Sequence, residues 1–298
     1  MSDFCSQLAR SHDVSPAGTA TEAEHWLLIE DPSPWGAYAV EEAEWFPVVQ
    51  EALSGWKNRV PTLRIQLIRR GLRTWDTTGQ IRCFAVRAGP RPVVRRWTLD
   101  AYDEIAGLNV PDALLSPTPV GAAPVVLTCA NGRRDACCAK WGRPVAQSAA
   151  DAAPDAAWQT SHLGGHRFAP TAVVLPHGTH YAWLRPDDMA DLIAAHRKGR
   201  LYALNRVRGQ VHQPRPVQAA CLSLRQSLGL RDDDAVRGRV VERGDEHWTV
   251  RVEGEGHSRR AYVRREQRAA AFPHSCGSDE TKPDLAWTVT WDGEETLG

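Results

Sequence analysis

The same order of predicted elements occurs twice in this 298-residue chain, and it constrains the fold more than any other feature. Residues 21–118 and residues 119–205 each show the pattern of a strand, a helix, two strands and a second helix. A Trp-Gly pair follows the first strand of each copy, as Trp35-Gly36 and Trp141-Gly142. With two of the strands paired as a hairpin, this order predicts a thioredoxin-like α/β unit that is used twice.

The regions outside the two copies predict a tail, a linker and a β-rich extension. Residues 1–20 have the composition of a polar tail, and the proline-rich stretch 111–124 is typical of a linker. From residue 206 to 298 the pattern changes: an amphipathic helix is predicted over 215–230, and the residues after it alternate as strands do. The predicted fold class is therefore α/β, with two thioredoxin-like units followed by a β-rich C-terminal region.

Composition excludes several classes of partner and compartment. The formal net charge is +0, so no global charge favours binding to nucleic acid or to an anionic membrane. The N-terminus lacks the features of a secretory signal, and no apolar run has membrane-spanning length. The seven cysteines are odd in number and unevenly spread, unlike a secreted disulfide framework. We therefore expect a cytoplasmic protein without membrane insertion.

Two short segments hold the residues that predict chemistry. The first, "CANGRRDACCAKWG", contains Cys129, Cys137 and Cys138, and the second, "WQTSHLGGHRF", contains His162 and His166. The two glycines between the histidines favour a tight loop over a helix, which allows both rings to turn inward. The pattern is thus C-x8-C followed by H-x3-H, and each pair can hold one metal atom.

Three types of site are compatible with this pattern. A single zinc ion accepts two thiolates and two imidazoles, although zinc fingers usually have more closely spaced cysteines. A thiol-dependent oxidoreductase could use Cys137 or Cys138 as its nucleophile, but this leaves the doubled pattern unexplained. The third possibility is a 2Fe–2S cluster with two cysteines on one iron and two histidines on the other, as in Rieske centres.

The two segments resemble the sucrase/ferredoxin-like family. Three stretches carry the resemblance, which spans roughly residues 18 to 230: "CANGRRDACCAKWG", "WQTSHLGGHRFAPTAVVLPHG" and, more weakly, "GTATEAEHWLLIEDPSPWG". The resemblance implies that residues 119–205 form a thioredoxin-like ferredoxin domain. It also implies that Cys129, Cys138, His162 and His166 bind a 2Fe–2S cluster, with Cys137 as the alternative to Cys138.

The family resemblance also implies a function. A protein of this kind is a one-electron carrier that works with a redox partner protein, and neither the donor nor the acceptor is specified by the sequence. No paired carboxylates are placed for glycoside hydrolysis, so no sucrase activity is expected. The histidine ligands predict a reduction potential in the range of Rieske centres, roughly −150 to +300 mV.

The remaining candidates are assigned structural roles. The first copy has no histidine pair in "LIRRGLRTWDTTGQ", the segment that aligns with "SHLGGHRFAP", so it is expected to be a degenerate repeat without a cluster. Cys5 is an isolated cysteine, and Cys276, in a polar loop, is expected to be an exposed free thiol. Arg134 and Asp135 are expected to form a local ion pair that fixes the cysteine loop.

Overall fold

The computed structural model describes residues 4–71, 79–118 and 123–292. The elements of the N-terminal part are α1 (Cys5–Ser11), β1 (His25–Glu30), α2 (Pro47–Arg59), β2 (Leu63–Arg69), β3 (Ile81–Arg87), β4 (Val93–Leu99), a 3-10 helix (Tyr102–Gly107) and α3 (Val110–Leu115). Residues 37–56 have the periodicity of a helix in the sequence, interrupted by Pro47. In the structure Pro47 lies in the first turn of α2, where its missing N–H costs no hydrogen bond.

The second copy and the C-terminal region follow in the same chain order. The second copy contains β5 (Val125–Cys129), α4 (Ala136–Lys140), α5 (Gly142–Ala152), β6 (Ala157–Thr160), β7 (Ala172–Leu175), β8 (Thr179–Tyr181) and α6 (Met189–Arg197), with short 3-10 turns at His166–Phe168 and Pro186–Asp188. A 3-10 turn (Leu204–Arg206) and β9 (Val207–Gln210) follow at its end. The C-terminal region contains α7 (Arg215–Leu228), β10 (Val236–Arg243), β11 (His247–Gly254), β12 (His257–Pro273) and β13 (Thr281–Trp291).

The strand pairing repeats between the two copies. In the first, β1 is parallel to β2 and antiparallel to β3, and β3 is antiparallel to β4. In the second, β5 is parallel to β6 and antiparallel to β7, and β7 is antiparallel to β8. The copies join edge to edge where β2 pairs antiparallel with β6, which makes one sheet of nine strands. The predicted α/β fold class is therefore confirmed, and each copy has three strands between its helices where two were predicted.

One of the apolar cores crosses the boundary between the copies. Alternate residues of β1 face opposite sides of the sheet, and all six of its residues are buried. Leu27 and Ile29 pack with α2, whereas Trp26 and Leu28 belong to the core that also contains Cys129 and Cys138. The two cysteines thus lie in an apolar core to which both copies contribute.

The β-rich C-terminal region is also confirmed. Strands β10 to β13 form a separate antiparallel sheet of four strands in sequential order. Helix α7 covers one face of this sheet, and its Val217, Cys221 and Leu224 pack against Val236 and Val250. Within the described residues, no helix has both the length and the apolar character needed to cross a membrane.

Two segments differ from their predicted character. The predicted polar tail, residues 1–20, contains α1, in which Cys5, Ser6 and Ala9 are buried. The predicted linker 111–124 begins inside α3, where Leu114 is fully buried. In both cases the burial of a few apolar side chains outweighs a polar or proline-rich composition. Residue 119, the predicted start of the second copy, and residues 72–78 of the first copy lie outside the described residues, and the domain boundaries stay a prediction.

Candidate metal centre

Cys129 is the last residue of β5, and a glycine allows α5 to approach it closely. A Cβ atom on Gly142 would lie 2.1 Å from the carbonyl oxygen of Cys129. Any side chain at this position would therefore push the start of α5 away from the end of β5. This close approach explains why the second residue of the Trp-Gly pair in this copy is a glycine.

Cys137 and Cys138 lie in α4 and face different groups of side chains. Consecutive residues of a helix are separated by about 100° around its axis, so adjacent side chains diverge. Asp135 begins the helix as its N-cap, and its carboxylate accepts a hydrogen bond from the backbone N–H of Cys137 (2.9 Å). The Cys138 thiol is thereby turned toward Cys129 and His162, and the Cys137 thiol toward Cys5 and Cys276.

The predicted tight loop between the histidines is present, and its backbone requires glycine at both positions. Gly164 has φ 94° and Gly165 has φ 74°, in the left-handed region that glycine adopts without strain. A Cβ atom on Gly165 would also lie 2.5 Å from the guanidinium of Arg208, which donates to the carbonyl oxygen of Gly164 (2.9 Å). On the other side, Arg64 donates to the carbonyl oxygen of His162 (2.8 Å).

Three of the four predicted ligands converge. The Nδ1 atom of His162 lies 3.8 Å from the Sγ atom of Cys129 and 3.8 Å from that of Cys138. One ligand atom from each of these residues lies within 4.8 Å of the others. Both cysteines are 1% exposed, whereas His162 is partly exposed, so this group opens to solvent on its histidine side.

His166 lies beside this group and points one ring nitrogen away from it. The ring centres of His162 and His166 are 5.4 Å apart. The Nδ1 atom of His166 is 3.1 Å from the Oδ2 atom of Asp135, so Nε2 is the nitrogen left to bind a metal. Burial lowers the pKa of His166 to about 4, although the Asp135 carboxylate opposes this shift. His166 is thus neutral at pH 7, the state in which imidazole is a metal ligand.

The pKa values of the two converging thiols are split. A hydrogen bond from Cys138 stabilises the Cys129 thiolate and lowers the pKa of Cys129 well below its usual value, against the opposing effect of burial. The same hydrogen bond raises the pKa of Cys138, and burial adds to that rise. Cys129 is therefore the thiolate of the pair, and thiolate is the form that binds metals.

A second group of cysteines surrounds Asp135, and sequence reasoning did not find it. Cys5, Cys137 and Cys276 each lie within 3.6 Å of the other two, measured between Sγ atoms. Cys276 is half-buried and not the exposed thiol predicted for it. Cys5 and Cys276 approach Cys137 from 132 and 139 residues away, a distance over which no sequence motif indicates contact.

Asp135 also has partners other than the one predicted. Its carboxylate contacts His166, whereas the guanidinium of Arg134 lies over the ring of Tyr38, 4.8 Å from its centre. Burial alone would raise the pKa of Asp135, but His166 and the N–H groups of Cys276 and Cys137 more than offset it and lower the pKa. Aspartate is one of the residues preferred at the N-cap of a helix, so its position just before α4 could have indicated this role.

The first copy contributes to the surroundings of His162. An open cavity of about 340 Å³ has His162, Ser161 and Arg134 on one side, and residues of the first copy, among them Tyr38 and Arg64, on the other. The repeat without a histidine pair thus forms one wall of the opening that leads to the exposed edge of His162.

Comparison with known proteins gives one match. The family model described as sucrase/ferredoxin-like matches residues 16–209, which contain both copies of the repeat and both metal-ligating motifs. No curated protein and no solved structure matches the chain significantly.

Proposed function

Because the chain belongs to the sucrase/ferredoxin-like family, we propose that it is an electron-transfer protein that carries a 2Fe–2S cluster. Cys129 and Cys138 are the proposed ligands of one iron, and His162 and His166 those of the other. This is the division of ligands found in Rieske centres. When bound, such a cluster supplies reversible uptake of one electron.

The observation that best supports this proposal is the 3.1 Å contact between the Nδ1 atom of His166 and the Oδ2 atom of Asp135. Histidines that bind metals commonly donate their second ring N–H to a carboxylate, which fixes the ring and its tautomer. The side chain of Asp135 is fully buried, and its distance from Nδ1 of His166 suits such a bond. The donor set of two thiols and two imidazoles fits the cluster in type and number.

The residues around the proposed cluster have distinct roles. The buried cysteines exclude water from one side, and the partly exposed histidines form the edge through which an electron can leave. Arg64 is fixed by its hydrogen bond to His162, and its positive charge interacts favourably with the Cys129 thiolate. A cation at this place favours the reduced state, because the added electron increases the negative charge.

The cavity beside His162 is the proposed docking site of a redox partner protein. Its cationic side chains, Lys57, Arg64 and Arg134, outnumber the single carboxylate of Glu41. A partner with an acidic surface around its own redox centre would be attracted to this opening and brought close to His162. All seven cysteines are free thiols, and we propose a reducing, cytoplasmic location.

The thiol-dependent alternative has less support. Cys137 is 0% exposed and Cys138 is 1% exposed, so neither sulfur can be reached by a substrate. A nucleophilic thiol has to be both ionised and accessible. A zinc ion bound by the same four residues is the remaining alternative, and metal analysis separates it from the cluster.

The test uses two adjacent cysteines as a matched pair. Iron and acid-labile sulfide are measured in the purified wild type and in the Cys138→Ser and Cys137→Ser variants, together with the visible and EPR spectra. We expect about two iron and two sulfide per chain in the wild type and in Cys137→Ser, and loss of both in Cys138→Ser. A colourless wild-type protein with zinc and no sulfide would contradict the proposal.

A further inference from the structure

The second group of cysteines has the geometry of a metal site. The Sγ atom of Cys137 is 3.5 Å from that of Cys5 and 3.1 Å from that of Cys276, and the Sγ atoms of Cys276 and Cys5 are 3.6 Å apart. Asp135 supplies a carboxylate oxygen, and the ligand atoms of the four residues all lie within 4.8 Å of one another. We propose that Cys5, Asp135, Cys137 and Cys276 bind a zinc ion.

The distances agree with the size of this ion. Zinc binds thiolates at about 2.3 Å in a tetrahedron, which places the sulfur atoms roughly 3.8 Å apart. The three observed separations, 3.1 to 3.6 Å, are only slightly shorter, so small side-chain movements suffice to admit the ion. Three soft sulfur ligands select zinc over magnesium or calcium, which prefer a shell of oxygen atoms.

Asp135 has one oxygen available for the ion. Its Oδ2 atom contacts the backbone N–H of Cys276 (2.9 Å) and the Nδ1 atom of His166 (3.1 Å). The Oδ1 atom accepts the backbone N–H of Cys137 (2.9 Å) and lies 3.8 Å from the Sγ atom of Cys5. A carboxylate oxygen has two lone pairs, so Oδ1 can bind an ion and keep its bond to Cys137.

Zinc at this position would connect three segments that are distant in sequence. Cys5 begins α1, Cys137 lies in α4, and Cys276 follows β12. The ion would therefore tie the N-terminal helix and the C-terminal sheet to the back of the loop that carries Cys138. Bringing such distant segments together costs chain entropy. A metal that binds only the folded state stabilises that state and offsets part of this cost. The proposal does not depend on the iron–sulfur cluster, since the two groups share no cysteine.

The test measures zinc separately from iron. Zinc per chain is determined in the wild type and in Cys276→Ser and Cys276→His, after dialysis against metal-free buffer. The control variant is Cys83→Ala, which removes a buried cysteine of β3 that belongs to neither group. Cys276 is half-buried, so its replacement is tolerable, and circular dichroism checks the fold of each variant. We expect about one zinc in the wild type and in Cys83→Ala, loss in Cys276→Ser, and retention in Cys276→His, because zinc also accepts imidazole.

Cobalt shows which group of residues binds the ion. Cobalt(II) alone is added to the metal-free, reduced protein, and the absorption bands of tetrahedral thiolate coordination are recorded. Because Cys129, Cys138 and the two histidines could also hold cobalt, the bands are compared in a Cys138→Ser background. We expect the bands in this variant, and their loss when Cys137→Ser or Cys5→Ser is added to it. Bands that disappear in Cys138→Ser and persist in Cys137→Ser would overturn the proposal. So would a wild-type protein that takes up no metal at this group, or a disulfide among Cys5, Cys137 and Cys276 in freshly purified protein.

Discussion

Replacement of Asp135 by asparagine tests the structural account without requiring any bound metal. The carboxylate accepts the backbone N–H groups of Cys137 and Cys276, both at 2.9 Å, and the hydroxyl of Ser275 at 3.1 Å. It also contacts His166. Asparagine keeps the shape of the side chain, but it has no charge and only one oxygen, and its NH₂ group must face hydrogen-bond donors.

The cost follows from these contacts. The Ser275 hydroxyl can turn to accept a hydrogen bond, and His166 can change tautomer, but a backbone N–H cannot adapt. At least one of the N–H groups of Cys137 and Cys276 loses its acceptor, which costs about 1–3 kcal/mol when the group is buried. The remaining bond changes from a charged to a neutral acceptor and loses about 1 kcal/mol more. We therefore expect Asp135→Asn to lower the free energy of unfolding by about 3 kcal/mol in total.

Urea unfolding of the metal-free, reduced protein at pH 7.5 measures this change. The control is Asp112→Asn, which removes an exposed carboxylate whose ion pair with Arg59 spans 2.7 Å, and for which we expect little change. If Asp135→Asn is as stable as this control, the carboxylate does not hold the cysteine loop in the way described.

Three further predictions concern acid stability, reduction potential and packing. His166 has a pKa of about 4 in the folded protein and about 6.5 when unfolded. The unfolded state therefore binds more protons between these pH values, so this residue should lower the stability of the metal-free protein by roughly 2–3 kcal/mol from pH 6.5 to 4, measured by thermal melts. The fall in stability should be smaller in His166→Gln. An unchanged pH dependence in this variant would contradict the assignment. Arg64→Gln should lower the reduction potential by tens of millivolts, on the order of 40 mV for each 1 kcal/mol of lost attraction. The control Arg239→Gln, in the C-terminal sheet, should leave the potential unchanged. If a redox titration gives the same potential for Arg64→Gln and the wild type, Arg64 does not have this role. Gly142→Ala should lower the free energy of unfolding by about 1–3 kcal/mol, because the added methyl group would clash with the carbonyl oxygen of Cys129. A variant as stable as the wild type would show that this contact is not tight.

Much of the fold could be predicted from the sequence because its strands are short apolar runs with clear ends. The runs "HWLLIE" and "VVLTC" became β1 and β5, the buried central strands of the two copies. Helix α2 shows the limit of periodicity alone, since the predicted helix over 37–56 spanned Pro47 and the real helix begins there. Proline is tolerated in the first turn of a helix, and it disfavours the helical conformation for the residue before it.

The candidate site was predictable only in part, for a physical reason. Cys129 with Cys138, and His162 with His166, form two spaced pairs in the sequence. Such pairs indicate a shared metal because each lies within one short segment. Cys5 and Cys276 have no such partner in the sequence, and they reach Cys137 only because α1 and the end of β12 dock beside α4. Contacts between distant segments depend on how whole elements pack, and no local spacing encodes them.

The most direct test of the central claim is pulsed EPR of the reduced protein labelled with ¹⁵N-histidine. We predict an iron–sulfur signal coupled to two histidine nitrogens in the wild type. In His162→Cys and in His166→Cys, the coupling to one nitrogen should disappear while the iron signal remains. A signal without histidine coupling, or a protein that contains no iron and sulfide, would contradict the claim.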